Sequence, residues 1–216
     1  MPTPVYHPMS DDDGLPVVIE SPSVSSVPET WLDPQATAVV SVLDAAALPC
    51  ALNGLAFSPA AAPDDWTRFN DGVFVEEPPY RTDLGLRLTS GCVVLEPDGR
   101  VWLVHPTNRY GNVHVTFPKG RHEPDLTLLV NAVKETLEES GLAVEPLAYL
   151  CDIVRTKTVT RYYVVRRIGG TPANAGWESQ AVSLVPATRL EEALDRPNDR
   201  KVLPYLNTWL AGHPLD

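Results

Sequence analysis

The chain has 216 residues and a net charge of −11 from 17 basic and 28 acidic side chains, and this length suits one domain with a substantial core, alone or with an extension. Its 3 cysteines are widely spaced, which argues against a disulfide framework and a structural zinc site. No apolar run reaches the roughly 18 residues of a membrane-spanning helix, so we expect a cytoplasmic protein with no membrane partner.

The acidic excess lies entirely in the first part of the chain. Residues 1–86 hold 2 basic and 13 acidic side chains, whereas residues 87–216 hold 15 of each. The acidic first part argues against nucleic acid as a partner, because a phosphate backbone attracts cations. The balanced second part is free to present basic side chains to a smaller molecule that carries phosphate groups.

Composition divides the chain into three segments. Residues 1–34 contain seven prolines, a serine cluster and the acidic run Asp11-Asp12-Asp13, and such a segment buries too little apolar surface to offset the entropy of ordering it. We therefore predict a Pro-rich, acidic and flexible extension over 1–34. Residues 35–85 are predicted to be an accessory segment packed on a core domain formed by residues 86–216.

The core domain begins with a predicted β-hairpin. Apolar stretches over 88–95 and 100–105 flank a turn at Pro97-Asp98-Gly99, and a further strand over 113–117 leads into a glycine turn. The next segment, from about Leu126 to Ser140, has apolar residues on one side at helical spacing. Gly141 follows it and favours a left-handed helix stop.

The rest of the core domain predicts further strands and then helices. The predicted strands cover 146–155, 160–168 and 182–185. Two helices are predicted over 188–194 and 199–211, the second bent at Pro204 because proline lacks the N–H that a helix interior uses. This order of elements is typical of an α/β fold in which a mixed sheet lies between helices.

Three carboxylates share one side of the predicted helix over 126–140. At about 100° per residue, Glu135, Glu138 and Glu139 fall within one arc beside the apolar side. Their mutual repulsion costs roughly a few tenths of a kcal/mol per pair. A bound divalent cation is one reason for such a cluster, since hard cations take carboxylate oxygens. A solvated acidic helix face is the alternative interpretation of the same pattern.

Residues 120–142 resemble the Nudix box, in which glycines and glutamates recur at fixed spacing. The register needs no gap. The matching positions are Gly120, Glu135, Glu138, Glu139, Gly141 and Leu142. The approach through Phe117-Pro118-Lys119, together with Glu123, is also similar to that of many family members. The resemblance implies the family's α/β/α sandwich with a mixed β-sheet.

Two positions depart from the pattern of the box. Leu126 stands where the first glutamate is expected, and Lys134 replaces an arginine. In the family this arginine holds the catalytic glutamate in position. A lysine keeps the charge but loses the planar, bidentate fork.

The resemblance also implies a chemistry, the hydrolysis of a diphosphate linked to another group with Mg²⁺ or Mn²⁺ as the metal. Glu135 and Glu139 are the implied metal ligands, and the Gly120 carbonyl is a further one. Glu138 is implied as an additional ligand or as the group that orients the attacking water. The general base that accepts the proton of this water comes from the box in some members and from a distant loop in others. Here the loop candidate is Glu178, whose alternative interpretation is a surface acid.

Basic residues near the box and on the hairpin 146–168 are candidates for binding substrate phosphates. Lys119 and Arg121 lie at the start of the box, and Arg155, Lys157 and Arg161 lie on the hairpin. Charge-assisted contacts of this kind contribute about 1.5 to 3 kcal/mol each. A solvated hairpin edge protected by charge is the alternative interpretation.

The substrate class follows only broadly from the sequence. Lys157 stands where ADP-ribose hydrolases typically have a proline, and Thr158 to Thr160 lack the tyrosine of diadenosine polyphosphate hydrolases. We expect a small-molecule polyphosphate substrate, either a nucleoside diphosphate derivative, a dinucleoside polyphosphate or a diphosphoinositol polyphosphate. A Nudix-fold ligand-binding or regulatory module with little turnover is the alternative. A homodimer is left open.

Overall fold

Strands dominate the described part of the chain, which the computed structural model gives as residues 3–59, 75–80, 84–107 and 114–213. The strands are β1 (Val5–Ser10), β2 (Pro16–Ile19), β3 (Ala38–Ser41), β4 (Ala51–Leu52), β5 (Leu55–Ala56), β6 (Arg87–Leu95), β7 (Arg100–Pro106), β8 (Lys119–Arg121), β9 (Leu142–Val154), β10 (Thr158–Gly170) and β11 (Ser179–Pro186). The helices are α1 (Leu128–Ser140), α2 (Leu190–Ala193), α3 (Pro197–Arg200) and α4 (Leu203–Gly212).

Seven of these strands form one mixed sheet. Its order is β3-β11-β7-β6-β10-β9, and β8 pairs with β6. The long strands β9 and β10 form an antiparallel hairpin, whereas β10 runs parallel to β6, with Thr158 beside Arg87 and Arg166 beside Leu95. The mixed sheet that the resemblance implied is therefore confirmed.

Strands β6 and β7 separate beyond their shared turn, and the segment from Thr116 into β8 lies between them. A bridge joins Val104 of β7 to Thr116, and β6 pairs with β8 on the other side. At Gly91 of β6, an added Cβ would lie 2.3 Å from the Pro118 carbonyl oxygen, so this close approach requires a glycine. The insertion carries Gly120 into the sheet.

Apolar clusters cover both faces of the sheet. On one face, Val130 and Val133 of α1 belong to a fully packed cluster. On the other face, Tyr162 of β10 packs in a cluster with Leu190 and Leu206 of the C-terminal helices. The α/β/α arrangement is therefore confirmed. Among the helices of the described residues, none is both long and apolar enough to cross a lipid bilayer.

Helix α1 begins at Leu128, slightly later than the sequence predicted. The side-chain oxygen of Thr127 accepts a hydrogen bond from the Val130 N–H at 3.2 Å and caps the helix. Gly141 ends it at φ 70°, the left-handed conformation that the sequence predicted. Leu126 lies before the cap and packs against the apolar cluster under α1, so an apolar side chain suits this position.

The predicted strands are present with shifted ends. Strands β6 and β7 match the predicted hairpin closely. Strands β9 and β10 are longer than predicted because pairing continues to Gly170 beside Leu142, past the apolar pattern that guided the prediction. For the predicted strand over 113–117, Val113 lies outside the described residues and Thr116 forms a single bridge.

The predicted C-terminal helices differ more from the structure. The helix predicted over 188–194 is reduced to a 3-10 turn and the short helix α2. The bent helix predicted over 199–211 is instead two helices, α3 and α4. Pro204 lies in the first turn of α4, where its missing N–H would have no helical partner in any case. Proline therefore starts a helix here and does not bend one.

The N-terminal segment contains a β-hairpin that the sequence analysis did not predict, and the division of the chain after residues 34 and 85 stays a prediction. Strands β1 and β2 are antiparallel, with Val5 beside Ile19. Val17 and Ile19 are buried, and Ile19 belongs to the cluster on the α1 face of the sheet. Burial alternates along β2, where Val17 and Ile19 are covered and Val18 between them is 40% exposed, and composition alone does not show which of these residues are buried.

Residues after this hairpin extend the same face of the sheet. Strand β3 pairs with β11, with Val40 beside Val182. Trp31 is fully buried, and its ring centroid lies 5.8 Å from that of Trp102 and 6.3 Å from that of Phe57. Through these aromatic contacts, Trp31 and Phe57 of the N-terminal segment pack against Trp102 of the central strand β7.

We expect Trp31→Ala to lower the free energy of unfolding by about 3 to 5 kcal/mol, because it leaves a cavity beside the rings of Phe57 and Trp102. Urea denaturation of the full chain measures this loss. The control is Val24→Ala, at a side chain that is 86% exposed, which should change stability by less than about 0.5 kcal/mol. A loss below about 1 kcal/mol for Trp31→Ala would show that this segment contributes little to the fold.

Candidate active site

Three glutamates meet beside the second half of α1. Glu135 and Glu139 lie one turn apart on the helix, and Glu178 lies on the loop before β11. One carboxylate oxygen from each residue lies within 4.8 Å of those of the other two. Glu135 is buried, with 9% of its surface exposed, and Glu178 is exposed. The structure thus brings together the two box glutamates and the loop candidate.

Backbone contacts hold the loop that carries Glu178. The Gly176 N–H donates to the Glu138 carbonyl oxygen at 2.7 Å, and an added Cβ on Gly176 would lie 2.6 Å from that oxygen. The Thr107 N–H donates to the Glu178 carbonyl oxygen at 2.7 Å, and the Thr107 hydroxyl donates to the Trp177 carbonyl oxygen at 2.8 Å. The loop is therefore docked on the end of α1 and on the end of β7.

The glycine turn of the box forms the other side of the site. An added Cβ on Gly120 would lie 1.9 Å from the carboxyl carbon of Glu135, so only glycine permits this contact. The Lys119 N–H donates to a carboxylate oxygen of Glu139 at 2.8 Å. The inserted segment therefore fixes both helix carboxylates. The prediction that the Gly120 carbonyl binds a metal stays a prediction.

The electrostatics of the cluster disfavour its ionised form. Burial, together with the charges of Glu139 and Glu138, raises the pKa of the Glu135 carboxyl to about 8. Burial also raises the pKa of Glu139 to about 7, although the Lys119 ammonium and N–H act in the opposite direction. Burial and the charge of Asp12 raise the pKa of Glu178. Without a cation, three neighbouring anions are unfavourable here.

Lys134 pairs with two carboxylates beside this cluster. Its ammonium lies 2.6 Å from Glu138 and 3.0 Å from Glu123. Burial lowers the pKa of Lys134, but these two partners outweigh it, so the pKa is raised. Glu123, from the segment before the helix, thus supplies a second carboxylate partner for Lys134. The sequence offered no spacing signal for this pair, because Glu123 lies in a turn and not on the helix.

Glu138 therefore differs in setting from the other two box glutamates. Its side chain is 47% exposed and is bonded to Lys134, and it is not part of the carboxylate group within 4.8 Å. Its charge still contributes to the raised pKa of Glu135 and of Glu178. The predictions that Glu138 binds metal or orients water, and that Lys134 takes part in catalysis, stay predictions.

Two of the five predicted phosphate-binding cations lie in internal ion pairs. Arg155 is 2.5 Å from Asp199 and donates to the Tyr162 hydroxyl at 2.7 Å. Arg161 is 1% exposed, is 2.8 Å from Asp152, and lies between the rings of two tyrosines, Tyr80 and Tyr149.

These two arginines also lie on opposite faces of the sheet. Tyr162, the partner of Arg155, belongs to the cluster under the C-terminal helices. Tyr149, on which Arg161 packs, lies against the cluster under α1. The sequence could not reveal these pairs, since Asp199 is distant along the chain. One common cationic face formed by Arg155 and Arg161 is therefore not what the structure contains, and a phosphate role for either stays a prediction.

The other three predicted cations are more accessible. Arg121 and Lys157 are exposed, and Lys119 is half-buried. In the described ranges 3–59, 75–80, 84–107 and 114–213, none of the three forms an ion pair. The Lys119 charge acts on both Glu139 and Glu178, so this cation lies beside the carboxylate cluster.

The donor set suits a hard divalent cation. Carboxylate oxygens from Glu135, Glu139 and Glu178 converge within 4.8 Å of one another, and burial, followed by neighbouring negative charges, raises the pKa of all three. Hard cations bind such oxygens, often through only a few carboxylates. The residues present therefore fit a metal site.

Comparison with known proteins agrees with this geometry. The model of the NUDIX domain family matches residues 85–206. The chain belongs to the Nudix family. As a Nudix hydrolase it is an enzyme that acts on acid anhydrides in phosphorus-containing compounds. Members of the family generally use divalent metal ions. No curated protein matches the chain.

Several solved structures have folds similar to that of this hydrolase. An ADP-ribose pyrophosphatase from Streptococcus suis has 19% identity and a TM-score of 0.47, over 59% of this chain and 92% of that one. A Nudix hydrolase from Nitrosomonas europaea has 21% identity and a TM-score of 0.46, and the match covers 59% of this chain and 72% of that one. The E. coli ORF135 protein has 16% identity and a TM-score of 0.45, and the match covers 61% of this chain and 97% of that one.

We expect Glu139→Gln to reduce turnover by at least ~100-fold, equivalent to about 2.7 kcal/mol of barrier. The amide keeps the shape of the side chain and can still accept from the Lys119 N–H, but it removes a charged oxygen. Steady-state kinetics with a divalent metal measures the effect. The control is Glu192→Gln, whose side chain is 75% exposed. Activity of Glu139→Gln within threefold of the parent would remove Glu139 from the site.

A second prediction concerns pH. The folded pKa of Glu135 is about 8, against an ordinary value of 4.5, so the folded protein holds a proton that the unfolded chain releases between these values. Stability of the metal-free protein should therefore fall as pH rises from 5 to 8. Thermal unfolding in a chelator measures this fall, and it should be smaller in Glu135→Gln than in Glu192→Gln. Equal slopes in the two variants would contradict the raised pKa.

Proposed function

We propose that this hydrolase is a Mg²⁺-dependent pyrophosphohydrolase that cleaves a diphosphate linkage in a nucleoside diphosphate derivative, a dinucleoside polyphosphate or a diphosphoinositol polyphosphate. The observation that carries the proposal is the convergence of Glu135, Glu139 and Glu178 within 4.8 Å. Two of these residues occupy box positions, and the third comes from a separate loop. Mn²⁺ is the alternative metal, because it accepts the same oxygen ligands.

The proposed reaction is a displacement at phosphorus. Water attacks one phosphorus atom, the bond from that atom to the bridging oxygen breaks, and the bridging oxygen leaves with the other phosphate. The proton of the water passes to a carboxylate. Mg²⁺ bound by Glu135 and Glu139 would neutralise charge on the phosphate oxygens.

Glu178 is our candidate for the proton acceptor. It lies on a loop where water can reach it, and partial burial of its carboxylate, together with the charge of Asp12, raises its pKa. A raised pKa brings a carboxylate closer to the operating pH, which suits a general base. Glu138, bonded to Lys134, is the alternative acceptor within the box.

Cations beside the cluster are proposed to bind the substrate phosphates. Lys119 is the first candidate, because its charge acts on Glu139 and Glu178. Arg121, two residues on, is exposed and can supply a bidentate contact. The ion pair of Arg155 with Asp199 favours a structural role for that arginine.

A binding or regulatory module is the second candidate. Leu126 packs in the apolar cluster and Lys134 is bonded to Glu138 and Glu123, so two positions that support catalysis in the family have other contacts here. Such a module would bind phosphate compounds with little turnover. For both candidates we propose a cytoplasmic location and a small-molecule substrate, with no nucleic acid as partner. A homodimer stays open for both.

The test is a substrate panel. It contains ADP-ribose, NADH, diadenosine polyphosphates, nucleoside triphosphates and diphosphoinositol phosphates, assayed for phosphate-containing products with Mg²⁺ and separately with Mn²⁺. We expect turnover of at least one member, loss of turnover in a chelator, and recovery when Mg²⁺ is restored.

The control for the panel is the triple variant Glu135→Gln, Glu139→Gln and Glu178→Gln, which removes all three charged donors together. Its residual rate defines contamination by other phosphatases. No turnover of any member above this background, with substrate binding retained in calorimetry, would favour the binding module over the enzyme.

A further inference from the structure

The N-terminal hairpin contacts the residues on both sides of Glu178. The indole N–H of Trp177 donates to a carboxylate oxygen of Asp12 at 3.0 Å. On the other side, Nε2 of His7 lies 3.2 Å from the Ser179 carbonyl oxygen in a buried contact. Asp12 lies in the turn between β1 and β2, and His7 lies in β1. Two separate parts of the hairpin therefore bracket one catalytic candidate.

The contact from His7 has a defined direction. The Ser179 carbonyl oxygen can only accept a hydrogen bond, so Nε2 of His7 donates to it, and Nδ1 accepts from the Met9 N–H at 3.0 Å. His7 is 6% exposed. Strand β3 pairs with β11 only from Ala181 onward, so Ser179 lies beyond that pairing. The imidazole takes the place of a strand neighbour there.

A third contact lies one residue further along the chain. The side chain of Gln180 donates to the Ser21 carbonyl oxygen at 3.1 Å and accepts from the Ser23 N–H at 2.8 Å. Gln180 is 5% exposed. A buried amide that satisfies both its donor and its acceptor with one backbone stretch fixes that stretch in position. The chain that leaves β2 is therefore tied to the same loop.

We propose that the hairpin of β1 and β2, with its exit through Ser23, is a positioning clamp that holds the loop 176–180 so that Glu178 meets Glu135 and Glu139. This inference rests on the proposed function, because it assigns Glu178 to that site. Asp12 and His7 are positioning residues, since they contact the neighbours of Glu178. The other anchors of the loop, on α1 and Thr107, leave the outer side of the loop to the clamp.

The test variant is the full chain with His7→Phe and Asp12→Ala, which removes both contacts and keeps a ring at the buried position. Its matched control is Tyr6→Phe with Asp13→Ala, which alters the neighbouring ring and removes the same charge from the same turn. Tyr6 is 50% exposed, and among the described residues the Asp13 side chain forms no ion pair or hydrogen bond.

The first measurement is backbone amide exchange of the peptide 176–180 in metal-free protein. The test variant should exchange at least about fivefold faster there than the control, because local opening becomes easier. The second measurement is Mn²⁺ affinity by calorimetry, which should weaken about three- to tenfold because the negative charge of Glu178 moves away from the metal held by Glu135 and Glu139. Equal exchange and equal Mn²⁺ affinity in the test and control variants would overturn the clamp.

Kinetics separates positioning from general stability. We expect kcat of the test variant to fall about tenfold with KM little changed. In a Glu178→Gln background, the same two substitutions should cause no further fall, because they act through Glu178. Losses that multiply in that background would show that the hairpin supports the whole fold, and would overturn the clamp.

The clamp can still be tested if the double variant does not fold or if the parent has no activity. If the double variant does not fold, Asp12→Ala alone, at an exposed side chain, is compared with Asp13→Ala in the same measurements, with changes expected in the same direction. If the parent turns over no substrate, the proposed function fails, whereas amide exchange and Mn²⁺ affinity still decide whether the clamp exists.

Discussion

The contact between Gly120 and Glu135 is the constraint on which the rest of the site depends. A buried carboxylate lies where any side chain at residue 120 would collide with it, at 1.9 Å from an added Cβ. This contact requires the segment before α1 to run through the sheet. That in turn requires β6 and β7 to separate after a short pairing, and it requires Gly91 where Pro118 passes close to β6. The separation of β6 from β7, Gly91 and Gly120 are therefore all needed to place the glycine turn against Glu135.

The second constraint is electrostatic. Glu135 is held by close packing against Gly120 and Glu139 by the Lys119 N–H, in a place where burial raises the pKa of both. Burying carboxylates together is unfavourable unless a cation or protons compensate. In an enzyme of this family a hard cation would offset the repulsion between the carboxylates and also bind the anionic substrate. The same cluster therefore destabilises the metal-free protein and supports the proposed reaction.

The departures from the box also have physical explanations in the tertiary structure. Leu126 lies before the N-cap of α1 and packs on the apolar cluster, so it is excluded from the polar side of the helix. Glu123 pairs with Lys134, which is also bonded to Glu138. Lys134 thus links two carboxylates beside the site. A lysine suits two separate carboxylates, because its ammonium donates in several directions.

The amino-acid sequence by itself determined the helix α1 with its left-handed stop at Gly141, the hairpin of β6 and β7, and the acidic side of the helix, because each depends on local spacing. It also contained the Nudix box, and with it the family. Only the tertiary structure decided which acids meet. Glu178 joins Glu135 and Glu139 through a loop docked on the end of α1, and Arg155 finds a distant partner in Asp199. The N-terminal hairpin was missed for the same reason: its stability comes from burial of Val17 and Ile19 against the body of the protein, a contact between distant segments that composition and local periodicity do not encode.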